Sequence, residues 1–81
     1  MDSPKLFETP DLYLSSALVM LLEVRPSFTI ARSKVIFCFP ATDDLYRALS
    51  AYNAGVPLNA IEFAETIKRL RAEMLMRRSA V

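Results

Sequence analysis

The stretch "KVIFCFPATDDLY", Lys34 to Tyr46, passes from five consecutive apolar residues through a proline into a pair of aspartates. Its first half is apolar on both alternating faces, with Val35, Phe37 and Phe39 against Ile36 and Cys38. That pattern predicts the central strand of a small sheet. Its second half predicts a helix start, because Asp43 and Asp44 precede the apolar spacing Leu45, Ala48, Leu49 and Tyr52. The junction is therefore a strand-to-helix corner, a place where small α/β proteins hold ligands. A phosphate would need glycine for close backbone approach and unopposed amides at the helix start. "FPATDDL" has no glycine and no basic residue, and its two acids would repel an anion. Asp43 and Asp44 suit a hard cation such as magnesium. They equally compensate a helix dipole, at about 0.3–1 kcal/mol each, and the corner is read as structural, with no metal and no cofactor.

Working upstream, "SFTIAR" (Ser27 to Arg32) alternates, with Phe28 and Ile30 opposite Thr29 and Ala31. This predicts a half-buried strand joined to the central one by a hairpin about Arg32-Ser33, without the Asn-Gly chemistry that tight turns prefer. Before it, "TPDLYLSSALVMLL" predicts a helix to about Leu22, with Thr9 as cap, Pro10 at the first helical position and Asp11 at the positive dipole end. Leu14, Ala17, Leu18, Leu21 and Leu22 share a stripe, while Leu12, Val19 and Met20 lie off it. A helix apolar on most sides is expected between sheet and helices, or between two subunits. Lys5 to Thr9 is expected to add an edge strand.

Downstream, the only glycine, Gly55, falls where a left-handed residue ends the second helix. Asn59 and Glu62 then form a capping-box pattern, followed by the seam Ala60, Phe63, Ile67, Leu70 and Met74. Glu65–Arg69 and Glu73–Arg77 have the spacing of i,i+4 ion pairs. The expected fold is α+β in the order β-α-β-β-α-α. A mainly antiparallel sheet of two or three strands is covered by helix 1 and a helix 2–helix 3 hairpin. The whole chain is one domain, with a core over about residues 5–77 and loose ends at residues 1–4 and 78–81.

Composition says how such a small core is supported. One cysteine rules out an intrachain disulfide, and the absence of histidine removes the usual zinc ligands. Hydrophobic residues make up 53% of the 81, above the ordinary range of about 45–50%. The excess predicts a surface patch and self-association as a homodimer through Leu12, Val19, Met20, Tyr46, Phe63, Ile67, Leu70 and Met74, with a different protein as the other possible partner. Net charge is only +1, so no global field selects nucleic acid or acidic substrates. The most apolar run, Leu12 to Val24, is shorter than the roughly 20 residues of a membrane span. No membrane association is expected, and a lone thiol without a leader sequence points to the cytoplasm.

Catalytic chemistry is poorly provided for. Cys38 has no histidine to activate it and reads as a buried filler between two phenylalanines. The serines lack a base for the same reason, so the chain is not expected to be an enzyme. The basic end of helix 3 carries Lys68, Arg69, Arg71, Arg77 and Arg78 against Glu73 alone. These cations could meet nucleic-acid phosphates, but a solvated, dipole-compensating helix end is the preferred reading.

Taken together, "FETPDLYLSSALVMLL", "KVIFCFPATDDLYRALSAYNAG" and "LNAIEFAETIKRLRAEML" resemble a small domain family of unknown function found in bacteria and phages. The matching features are a "T-x-D-x-Y-L" helix start, an "F-x-F" strand and a long last helix. The segment "EVRPSFTIARS" stands where that family has a more glycine-rich turn. The resemblance implies the same strand and helix order and supplies no catalytic or binding residues.

Overall fold

A computed structural model describes residues 5–79, and the loose ends expected at residues 1–4 and 80–81 fall outside the described residues. The chain forms β1 (Leu6–Thr9), α1 (Leu12–Leu22), β2 (Ser27–Ala31), β3 (Lys34–Pro40), α2 (Asp43–Asn53) and α3 (Ala60–Ser79). The order is β-α-β-β-α-α, and α3 continues through Arg78 and Ser79, which were expected to be loose.

The sheet has the order β1-β3-β2, with β3 paired antiparallel to both neighbours. The apolar stretch is thus the central strand, as its composition requires. Thr9↔Phe37 and Phe7↔Phe39 on one side, and Phe28↔Phe37 and Ile30↔Val35 on the other, place these side chains on one face. Leu18, Leu45, Ala48 and Leu70 complete the core with Phe37 and Phe39, so all three helices lie on that face. The molecule measures 39 × 36 × 18 Å. Its short axis accommodates one sheet and one helix layer, and the face carrying Leu6, Glu8, Ile36 and Cys38 has no helix over it.

Each helix begins as its sequence allows. Thr42 caps α2, its hydroxyl accepting the Leu45 amide at 3.1 Å. α2 ends in a Schellman arrangement, with Gly55 at φ 83, the Gly55 amide donating to Tyr52 O and the Val56 amide to Ala51 O. Asn59 Oδ1 accepts the Glu62 amide at 3.0 Å; among the described residues the reciprocal half of the capping box is not made. α1 departs from expectation. Its cap is Asp11, whose carboxylate accepts the Tyr13 and Leu14 amides at 3.0 Å each. Thr9 is occupied one step earlier, as the last residue of β1 and as acceptor of the Asp11 amide at 3.1 Å. Pro10 therefore precedes the cap.

The hairpin turns on Arg32 and Ser33, both left-handed at φ 53 and φ 66, with Ala31 and Lys34 paired across it. Two positive φ values are what a two-residue type I′ turn demands, and here non-glycine residues adopt them.

The expected helix 2–helix 3 hairpin does not form the cover. α1 lies between α3 and α2 and packs on both. The loop through Pro57 and Leu58 leads from α2 to α3 and lines an open groove together with the end of α1 near Glu23. The middle of α1 is closed off on every side, since Ser15, Ser16, Ala17 and Leu18 are all fully buried. Three small residues in succession let the neighbouring elements approach closely. Of the two environments expected for this helix, the structure supplies sheet and helices. Leu70 is likewise buried inside the subunit, at 2% exposure, which removes it from the expected self-association surface.

The ion pairs also differ. Glu73 pairs with Arg25, from the α1–β2 connection, rather than with Arg77. Glu65 and Arg69 form no ion pair, and the only other one among the described residues is Arg47–Asp44 at 3.0 Å. Arg25 reaches Glu73 because the chain reverses at Pro26 and enters β2 beside the second half of α3.

Candidate functional site

At the strand-to-helix corner, Thr42 makes the cap and Asp44 is held by Arg47, with both aspartates exposed. The corner completes a helix, and among the described residues no three metal-ligating side chains gather there or elsewhere.

Cys38 is 4% exposed although no helix covers it. Glu8 and Ser27 pair with it from the two neighbouring strands and close over the thiol. Burial raises its pKa above the ordinary thiol value, the Glu8 carboxylate adds to this, and the nearby Ser27 hydroxyl, which donates to the Cys38 carbonyl at 3.5 Å, offsets part of it. The thiol stays protonated at neutral pH and is a poor nucleophile. The buried hydroxyls of Ser16 and Thr66 donate to the carbonyls of Leu12 and Glu62, each at 2.8 Å. They close local backbone bonds and offer no reactive group.

An open groove of about 510 Å³ lies between the end of α1, the Pro57–Asn59 loop and the first half of α3. Val19, Met20 and Leu58 give it an apolar floor, and Glu62, Glu65 and Arg69 stand at its side. Such a lining can bind a partner through apolar contact and opposite charges, but it lacks an acid, base and nucleophile arranged around one point.

The five cations singled out in the sequence do not share a face. At roughly 100° per residue, Lys68 points away from the core and Arg69 toward the groove. Arg77 is used within the fold: its guanidinium carbon lies 3.9 Å from the centroid of the Phe28 ring. Arg78 borders Lys34 and Ser33 at the hairpin tip. The structure thus adds Lys34 to the basic end, a neighbour that only the packing of β3 against α3 reveals.

The expected self-association residues are scattered too. Leu12, Val19 and Met74 pack against the core cluster. Met20, Phe63 and Ile67 are half-buried. Only Tyr46, at 54%, is freely exposed. What the sequence reading missed is the opposite face of α3, where Ile61 (71%), Leu75 (48%) and Met76 (71%) are uncovered. The signal was present as a second apolar spacing, hidden by the stronger inner seam.

No helix among the described residues is long and apolar enough to cross a membrane. No protein-family profile matches this chain, and no curated protein and no solved structure is similar to it.

Proposed function

We propose that this protein is a non-enzymatic interaction module of the cytoplasm that self-associates as a homodimer. The observation that supports it best is the uncovered apolar side of α3, with Ile61, Leu75 and Met76 exposed beyond a core that is already closed. Large apolar side chains aligned on one side of a surface helix commonly mark a contact with another chain. The lack of histidine, the covered thiol and the committed hydroxyls support the non-enzymatic part. The element order also supports membership in the small bacterial and phage domain family that the sequence resembles. Light scattering at tens of micromolar tests the proposal. A dimer mass is expected, and a strict monomer overturns it.

The alternative is a phage-like, nucleic-acid-associated accessory protein using the basic end of α3. Its support is that Arg78 and Lys34 line one concavity; the engagement of Arg77 with Phe28 counts against it. Retardation of duplex or single-stranded probes at about 50 mM salt, weakening steeply as salt rises, is the result it requires.

A further inference from the structure

α3 is charged unevenly along its length. Its first turns carry Glu62 and Glu65, and cations dominate from Lys68 onward. Its outward stripe follows helical spacing, with Ile61, Ala64, Lys68, Ala72 and Leu75 on one side and all exposed. The two alanines lower the surface on either side of Lys68, so another helix can approach closely there. A helix acidic at one end and basic at the other is complementary to its own copy run in reverse.

We infer that α3 pairs with α3 of a second copy, antiparallel, about a two-fold axis near Lys68. This rests on the self-association proposed above and specifies its surface. In this register Ile61 comes opposite Leu75 of the second copy, and Ala64 comes opposite Ala72. An isologous interface makes every such contact twice. The antiparallel symmetry also brings matching flanks together, so Glu65 faces Arg69 of the second copy. These two residues form no ion pair within the subunit and are free to do so between subunits. Lys68 meets its own copy on the axis, a like-charge contact that limits affinity.

The test uses charge reversal in the full chain. Glu65→Arg and Arg69→Glu are each expected to be monomeric by light scattering at a concentration where the parent is dimeric. An equimolar mixture of the two is expected to restore a dimer, since each copy then presents the sign the other lacks. An ion pair within one helix would not be rescued by mixing. Lys68→Leu is expected to tighten dimerisation about tenfold or more by removing the like-charge contact. Circular dichroism on each variant confirms that it is folded, and Lys68→Leu gives a gain that misfolding could not mimic. A monomeric parent overturns both the self-association and the pairing. A dimeric parent that is indifferent to all three substitutions keeps the self-association, overturns the pairing, and moves the contact to another surface such as the open sheet face.

Discussion

The guanidinium carbon of Arg77 sits 3.9 Å from the centre of the Phe28 ring, and Phe28 in turn meets Phe37 at 5.4 Å between centroids, tilted by 55°. Arg77 also donates to the Glu73 carbonyl at 3.3 Å. A cation near the end of α3 thereby closes one side of the core and ties the last helix to an edge strand. The charge is favoured over the ring face, and the aliphatic stem covers apolar surface.

Arg77→Ala is therefore expected to lower stability by about 1 kcal/mol, seen as a lower melting temperature. Arg78→Ala, one residue on and without such a ring contact, is expected to stay within about 0.5 kcal/mol of the parent. Equal effects from the two substitutions would show that stacking on Phe28 contributes nothing.

The hairpin holds Arg32 and Ser33 in left-handed conformations that cost an ordinary residue about 1–2 kcal/mol. The double substitution Arg32→Asn with Ser33→Gly supplies the residues this turn type favours. A gain of about 1–2 kcal/mol is expected. For a domain of this size each kcal/mol corresponds to a rise of roughly 4–8 °C in melting temperature. No rise in a thermal melt would mean that the strands, rather than the turn residues, determine the turn geometry.

These two cases show which parts of the fold were readable from the chain alone. Elements with local signals were legible. Gly55 and Asn59 mark helix ends through bonds that span five residues or fewer, Asp43 and Asp44 mark the start of α2 although Thr42 makes its cap, and the apolar run of β3 marks the central strand. Illegible were the relations that depend on long-range packing. Arg25 reaches Glu73 from 48 residues away, and nothing in the helical spacing competes visibly with the nearer Arg77. Ser15 and Ser16 interrupt the apolar run of α1 in the sequence. In the fold their small size is what lets α1 occupy the centre of the layer. The candidate surface was obscured by a similar effect, since α3 is apolar on two sides and the inner seam dominates its pattern.

Ser15 offers a direct test of that packing. Its hydroxyl is fully buried and has no hydrogen-bond partner among the described residues. Burying an unpaired polar group is costly, so Ser15→Ala is expected to raise stability by up to about 1 kcal/mol, helped by the better helix propensity of alanine. Ser15→Val is expected to lower it by about 1–3 kcal/mol through overpacking. Denaturant titration separates the two. A loss of stability on Ser15→Ala would indicate that the hydroxyl has a partner, such as an ordered water.

The raised pKa of Cys38 predicts a pH dependence of stability. Its pKa is raised in the folded chain, chiefly by burial and then by Glu8, so the native state holds the thiol proton more tightly than the unfolded state does. The resulting stabilisation is complete below the unfolded thiol pKa of about 8.5 and is lost as pH rises from there through the folded value. Two outcomes follow from this sign. Between about pH 8 and 10, Cys38→Ala is expected to lose less stability than the parent. At pH 8, native Cys38 is expected to react with iodoacetamide at least about tenfold more slowly than the urea-unfolded chain, because both the thiolate fraction and access are reduced. Equal alkylation rates in the native and unfolded chains would mean that Glu8 and Ser27 do not close over the thiol, and that the uncovered face of the sheet is open at its centre.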